Sequence, residues 1–509
     1  MPALSPQRRR QAAYLAAIIL ILAVRLIRLD SYPLITADEG GWPLSVRNWV
    51  ETGARSSDYY MAPGYHWLLG VPFRLFGALH SVGRPASVLI SLVTLFLFYR
   101  LVRRLAGEHT AFWAALLLGT SYPAVLIDRR ALMEPFQLAL MTGLCLAVAG
   151  RGAIPLAPAR WLAAAALAAA LLLTKASAVY LLPALVVSTL WPWLPGRDAW
   201  KRRLSVTAAL AVGSLAAAAV FWLLYAGNPA AFLHGWSRDF SVSNVAGAVE
   251  HPTSGRFALN PLSIERFMRW FSEHEPLLFG LSVLGLLKAL WDRQHTLMAA
   301  WYVLGGGFLV MQLYVQENHR VVLMPPMCFF AAYLLSELHA MLRQLATPDT
   351  GPSGPSWAQA ALAVLVLYSA ARLGGGMAKV STPDADVLAW VAERTTTESR
   401  VMAAPYMLMR LRSKPVPFWS LGIPFVPTAG TLRPTKAEWL IVDAAEWKPH
   451  QAEHSGSGEA LARALAQCCE QVHVTPAATV YRVKPAAPDR AASIASPPPP
   501  HRPPASKDR

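Results

Sequence analysis

Residues 35–53, ITADEGGWPLSVRNWVETG, set Asp38 and Glu39 side by side just past a strongly apolar stretch. Two adjacent carboxylates repel each other wherever the dielectric is low, so the pair needs a reason. Pro43 fits the first turn of a helix and Gly53 its stop, which places both acids just ahead of a helix N-terminus. The positive end of the helix dipole favours a carboxylate there. Two readings are open: the acids cap the helix, or one is a general base with the other as its helper.

The segments that share a face with this pair carry cations. Arg25 and Arg28 lie one turn apart near the end of the first apolar run. IDRRALMEP supplies Arg129, Arg130 and Glu134, LLTKAS supplies Lys175, and QENHRVVLMPP supplies Glu317, His319 and Arg320. Charges at membrane depth are costly and usually face the bundle interior or a water-filled cavity. Taken singly, each arginine is also explained by snorkelling to the headgroups. Taken together, cations around two acids fit a phosphate held near the bilayer, with a carboxylate to activate a hydroxyl.

The elements that must position these residues are helices in a membrane. The chain has 509 residues, 54% hydrophobic and 15% charged, with a mean hydropathy of +0.35; soluble domains carry nearer a quarter charged residues. Apolar runs near bilayer-spanning length recur, giving about eleven expected spans. They cover 12–29, 84–102, 108–127, 134–150, 160–174, 177–194, 204–226, 276–291, 296–315, 320–340 and 357–374, with 63–80 ambiguous. Residues 8–24 are read as an uncleaved first helix, since no small-x-small site precedes Arg25.

The net charge of +16 does not indicate nucleic acid. The basic residues are spread through short loops, as the positive-inside rule expects. SPQRRRQ, YRLVRRLAG, GRGAIPLAPAR, PGRDAWKRRL and LLKALWDRQH fall on the cytoplasmic side. Loops 30–83 and 227–273 and everything after 375 fall outside. In the second outer loop, His234, Asp239, His251, Glu265 and His274 read as solvated residues, with an acceptor or metal site as the alternative. SIERFMRWFSEHEP reads as an amphipathic helix on the membrane surface. Tyr59, Tyr60, Tyr65 and Trp67 read as interfacial aromatics, with sugar stacking as the alternative.

Three parts are expected: a membrane body over 1–374, a small extracytoplasmic α/β domain over 375–484, and a disordered Pro-rich tail over 485–509. In the second part, a helix capped by Ser381, Thr382 or Asp384 leads to a short strand. AEWLIVDAAEW and ATVYRVKP read as strands, and EALARALAQCCEQVHVTP as a helix running into a strand. Cys145 and Cys328 fall in spans, and Cys468 and Cys469 read as free thiols.

At this point the chain resembles the GT-C membrane glycosyltransferases. Within them it is most similar to the family-39-like set that includes protein O-mannosyltransferases and the aminoarabinose transferases of lipid A. ITADEGGWPLSVRNWVETG resembles the Asp-Glu first-loop motif of that family, and APGYHWLLGVPFRLFG its next, Pro-led aromatic segment. DRRALMEPFQLAL resembles the Arg then acid-Pro landmark, LLTKASAVYLLP the Thr-Lys turn, and HRVVLMPP the late Arg-then-Pro segment. Met61 and Ala62 stand where the family often has Lys or His, which makes His66 a candidate substitute, and Val321 stands where it often has Tyr.

The resemblance implies an α-helical polytopic fold and an inverting transferase of the bacterial inner membrane. Such an enzyme moves a sugar from a polyprenyl-phosphate donor to a hydroxyl of a lipid, glycan or protein on the extracytoplasmic side. It makes Asp38 the catalytic base and Glu39 an auxiliary acid that orients Asp38 or binds a divalent cation. Arg129 or Arg130, Lys175 and Arg320 neutralise the phosphate, with Arg25 as a helper, and Glu134, His319 and His66 support them. Metal dependence, the sugar and the acceptor are left open. The alternatives are a secondary transporter and another polyprenyl-lipid enzyme, such as an O-antigen ligase or polymerase. No inverted repeat supports the first, and the second is expected to carry its main outer loop late in the chain.

Overall fold

A computed structural model describes residues 6–31, 33, 37–53, 63–149, 156–190, 199–224, 261–311, 317–345, 357–379, 384–417, 436–443, 462–463 and 465–484. The expected tail over 485–509, most of the second outer loop, Tyr59, Tyr60 and the Asp38 side chain lie outside the described residues. The chain divides into two units, one of residues Met1–Pro383 with Pro405–Arg412, the other of Asp384–Ala404 with Ser413–Arg509.

The first unit is helical. Its elements are α1 (Pro6–Leu26), α2 (Ala37–Thr52), α3 (Pro63–Phe76), α4 (His80–Thr120), α5 (Tyr122–Asp128), α6 (Met133–Val148) and α7 (Pro158–Thr174). A short 3-10 turn (Ala176–Tyr180) leads into α8 (Leu181–Leu190) and α9 (Ala199–Leu224). Then follow α10 (Pro261–His274), α11 (Pro276–Trp291), α12 (Thr296–Met311), a second 3-10 turn (Glu317–Leu323), α13 (Met324–Leu345) and α14 (Trp357–Lys379). Wide apolar surfaces stay exposed on these helices, among them Leu15, Ile18 and Ile19 of α1 and Leu89 and Phe96 of α4. Lipid tails are as apolar as the side chains, so a bilayer accepts such surfaces where water would not.

Span by span, the structure differs from the expectation. Among the described residues, four helices are long and apolar enough to cross a membrane alone, His80–Thr120, Trp200–Val220, Asn318–Leu342 and Trp357–Ala378; a bent pair, Tyr122–Asp128 with Met133–Val148, makes a fifth. Five apolar helices are shorter, Gln11–Leu26 and Pro158–Thr174 among them. At about 1.5 Å of rise per residue a helix of that size falls a few ångströms short of the hydrocarbon thickness. The 41-residue α4 has the opposite property. It takes in the expected span 84–102 and the first part of 108–127, and it breaks at Gly107, whose φ of +88° only glycine adopts freely.

Two features position the site. First, α5 and α6 meet at 113°, so the Arg129–Leu132 corner projects from between them. Second, the chain returns to the first unit at Pro405–Arg412, through a short helix (Pro405–Leu408), and this strap packs on α2. The buried Arg47 guanidinium of α2 donates to the Leu408, Leu411 and Arg412 carbonyls at 3.2, 2.8 and 3.3 Å, and the Met409 carbonyl accepts the His80 backbone N–H at 3.0 Å.

The second unit is a five-stranded sheet in the order β2-β1-β3-β5-β4, where β1 is Arg400–Ala403, β2 Lys414–Pro417, β3 Trp439–Asp443, β4 Cys469–Val474 and β5 Ala478–Val483. β1 is parallel to β2 and β3, and β5 is antiparallel to β3 and β4. The expected helix is Ala385–Arg394, preceded by Asp384 with no side-chain capping hydrogen bond, and its Trp390 stacks on His473 at 4.7 Å. Cys468 and Cys469 are free and buried.

Candidate active site

The acid pair sits inside a helix. α2 begins at Ala37, so Asp38 and Glu39 occupy its first turn and Pro43 lies within it. Gly53 ends α2 with a φ of +72° and its N–H on the Trp49 carbonyl at 2.9 Å, the C-terminal stop expected of glycine.

Glu39 is fully buried and held on several sides. Arg84, one turn after His80 on α4, donates Nε to Oε1 at 2.6 Å and Nη2 to Oε2 at 2.9 Å. His80 Nε2 lies 3.1 Å from Oε1, and the Ala131 backbone N–H donates to the same oxygen at 3.0 Å. Burial pushes the Glu39 carboxyl up, but the Arg84 charge and the Arg84 and His80 hydrogen bonds outweigh it and hold the group at about 2. The remaining Arg84 donors reach the Leu29 and Pro33 carbonyls, each at 2.7 Å. One guanidinium thus ties the end of the first helix, the entry to α2 and the acid together.

The α5–α6 corner docks on the same carboxylate. Ala131 gives its N–H to Glu39, and its carbonyl accepts the Tyr65 hydroxyl at 3.0 Å. The Tyr65 phenol lies in the fields of both Glu134 and Glu39. Glu134, in the first turn of α6, forms an ion pair with Lys175. Lys175 caps α7 in extended conformation, and the preceding Thr174 presses on Gly64 of α3, where an added Cβ would come 2.7 Å from the threonine hydroxyl. The second 3-10 turn packs on α5 and α6. It carries His319 into the fields of both Lys175 and Arg320. Arg320 lies over the Trp270 ring at 5.1 Å.

The sequence candidates therefore divide. Glu39, Glu134, Lys175 and His319 come together, with Arg130 half-buried at the α5–α6 corner and Arg320, next to His319 in the chain, over the Trp270 ring. Arg25 turns away, pairing with buried Asp128 at 2.6 Å and donating to Ser91 at 3.1 Å and to the Gly119 carbonyl. Arg129 donates to the Val24 and Ile27 carbonyls at 2.7 Å each, closing the end of α1. His66 lies 2.8 Å from the Ser45 hydroxyl and packs edge-on against Trp49. Glu39 does not fit a cation ligand: both oxygens are taken, and a metal ion there would face the Arg84 guanidinium. Among the described residues no three His, Cys, Asp or Glu side chains gather at one point. Sequence reasoning missed His80, Arg84 and Asp128. The signal for the first two was present: His and Arg four apart lie on one helical face, just ahead of an apolar run.

The family profile described as dolichyl-phosphate-mannose-protein mannosyltransferase matches residues 61–225. No curated protein sequence matches the chain. Among solved structures, ArnT from Cupriavidus metallidurans bound to undecaprenyl phosphate is similar, with a TM-score of 0.65, 15% identity, and 94% of this chain and 98% of that one covered. The same protein in the apo state gives 0.59 at 16% identity, over 93% and 98% of the two chains. The oligosaccharyltransferase AglB from Archaeoglobus fulgidus, in complex with an inhibitory peptide and a dolichol-phosphate, gives 0.54 at 11% identity, over 93% of this chain and 74% of that one. The chain is an integral membrane protein with the GT-C fold and a small C-terminal sheet domain.

Proposed function

We propose that this protein is an inverting glycosyltransferase. It takes a sugar from a polyprenyl-phosphate donor and passes it to a hydroxyl of a lipid, glycan or protein on the extracytoplasmic side of a bacterial inner membrane. The observation that carries this reading is the convergence of Glu134, Lys175 and His319, drawn from distant stretches of chain, beside the buried Glu39 clamp. The family profile and the lipid-phosphate complexes of ArnT and AglB point the same way.

In this reading Asp38 is the general base. Both oxygens of its neighbour Glu39 are occupied by Arg84, His80 and Ala131, so Glu39 is a positioning residue that anchors the first turn of α2. Asp38 takes the proton of the acceptor hydroxyl as that oxygen attacks the anomeric carbon. The bond from carbon to the phosphate oxygen breaks on the opposite face, and the phosphate leaves with one more negative charge. Lys175 and Arg320, with Arg130 at the corner, stabilise that charge; fixed cations facing a developing anion are among the largest catalytic terms known. Arg25 and Arg129 are assigned to holding α1, because of the carbonyls and the carboxylate they bind. Glu134 restrains the Lys175 ammonium between turnovers.

The test is transfer from a polyprenyl-phosphate-linked sugar by purified full-length protein. Asp38→Asn should lower the rate at least about 100-fold, the usual worth of a positioned base. Transfer by that variant at the wild-type rate defeats the assignment of the base, and wild-type protein that neither binds undecaprenyl phosphate nor transfers sugar defeats the function.

A further inference from the structure

The helices that carry the candidate site bring arginines together at their far ends. α4 holds Arg84 near its start and Arg104 just before its break at Gly107; α6 runs from Glu134 to Val148; α7 holds Arg160 in its first turn and ends at Lys175. Twenty positions of helix separate Arg84 from Arg104, a rise of about 30 Å, the thickness of a hydrocarbon core. The cluster therefore lies at the membrane surface opposite the Glu39 clamp. Arg160 donates Nη2 to the Leu146 and Ala147 carbonyls at 3.4 and 2.6 Å and to the Ala149 carbonyl. Arg202, in the first turn of α9, donates Nη2 to the Val148 carbonyl at 2.7 Å. Two guanidiniums thus share the last turn of α6, and the charge of Arg104 reaches both. The end of a helix carries about half a negative charge, too little to balance Arg160 and Arg104, which have no acidic partner among the described residues. Arg104 is exposed and makes no hydrogen bond there. Its neighbour Arg103 lies over Tyr99 at 5.8 Å, and Glu108, the one acid of α4, accepts the Tyr14 hydroxyl at 3.1 Å.

We propose that Arg104 and Arg160, backed by the charge of Arg202, bind the phosphate of an anionic phospholipid headgroup at this surface. Snorkelling carries single arginines to the headgroups, but it does not press charges from three helices together against their repulsion. A phosphate relieves that repulsion, and guanidinium donors match its oxygens in geometry as well as charge. The neighbouring side chains favour a lipid over a soluble phosphate. Leu162 of α7 and Trp200 and Leu204 of α9 stand within two residues of Arg160 or Arg202 and are 63%, 56% and 59% exposed. Apolar surface beside the cations suits acyl chains, and tryptophan is the residue of the membrane boundary. The basic loops on this side make it the expected cytoplasmic surface, whose leaflet is negatively charged.

The test is lipid retention by full-length protein in native mass spectrometry, after equilibration with mixed phosphatidylglycerol and phosphatidylcholine. Wild-type protein should prefer phosphatidylglycerol. Arg104→Gln, which breaks no hydrogen bond of the fold, should lower that preference about fivefold, the usual worth of one cation at an anionic surface. Arg104→Lys should keep most of it. Arg103→Gln removes the same charge one residue away and should change it less than about twofold. Arg160→Gln should also lower it; should that variant fail to fold, the Arg104 and Arg103 variants decide alone. Wild-type protein with no preference for phosphatidylglycerol, an Arg104→Gln variant that retains the preference, or an equal loss in Arg103→Gln overturns the proposal. Inorganic phosphate should not displace the lipid. Displacement at low millimolar phosphate makes this a site for a soluble anion and overturns the lipid assignment.

Discussion

Arg84 meets Glu39 through two parallel hydrogen bonds, and neither side chain reaches solvent. Removing one partner of such a pair leaves the other charge buried and alone, which costs about 3–5 kcal/mol. Arg84→Met should therefore lower the thermal midpoint sharply, and Glu39→Gln on top of it should restore part of the loss. Strictly additive losses in thermal unfolding would contradict the coupling. The Glu39 carboxyl is depressed from 4.5 to about 2. The stability it contributes is fully present above about pH 4.5 and fades only as pH falls toward 2. With Arg84 gone, burial pushes the Glu39 carboxyl up instead, so the Arg84→Met penalty should be smaller at pH 6 than at pH 8.

Glu275 has the opposite sign. Burial raises its carboxyl from 4.5 to about 7, against the Tyr122 and Ser369 hydrogen bonds and the Arg372 charge. Such a group weighs nothing against folding below about pH 4.5. Its cost grows between 4.5 and 7 and is complete above 7, at a size on the order of 3 kcal/mol. Glu275→Gln should raise the thermal midpoint relative to wild type at pH 8.5 by more than at pH 5. A gain that is the same at both values, or larger at pH 5, would show that Glu275 does not titrate in this window.

Lys175 separates a structural from a chemical role. Its ammonium pairs with buried Glu134. If it also stabilises the leaving phosphate, Lys175→Met should lower kcat of sugar transfer about 100-fold or more, with Lys175→Arg recovering part of it. The measurement is kcat and KM with a polyprenyl-phosphate-linked sugar. A change confined to thermal stability would leave the lysine as a strut for Glu134.

Gly64 is where α3 and the Thr-Lys turn touch. A Cβ there would lie 2.7 Å from the Thr174 hydroxyl and 2.9 Å from its backbone nitrogen. The backbone cannot yield as a side chain does, so Gly64→Ala should destabilise by about 1–3 kcal/mol. It should also lower transfer by displacing Lys175. Both follow from denaturation and rate measurements on one variant, and a neutral result in each would mean the two segments part freely.

Much of this was legible from residue types. The acid pair, Glu134, Lys175 and Arg320 stood out because charge near a bilayer demands a partner, and the sheet strands after Arg400 stood out by their apolar runs. What could not be read was the pairing. Arg25 and Arg129 looked like phosphate ligands, since nothing local says that one meets Asp128 and the other the α1 carbonyls. Arg84 looked like the edge of a span, because its partner lies 45 residues earlier. The helix start at Ala37 was obscured by Pro43, which local rules place in a first turn. β2, Lys414–Pro417, is four residues with two prolines and has no alternating pattern to announce it.

The strap formed by Pro405–Arg412 has a consequence for how the chain is made. Arg47 emerges from the ribosome early, yet its first carbonyl acceptor on the strap comes 361 residues later. Helices inserted before that point lack these carbonyl acceptors for Arg47, which pairs with Glu51 of its own helix at 2.8 Å, and the last stitch is set only after the nascent polypeptide has begun the sheet unit and returned. Chains released early by a stop codon or a stalled ribosome should lack that closure even with α1 to α14 translated, marking them for quality-control proteases.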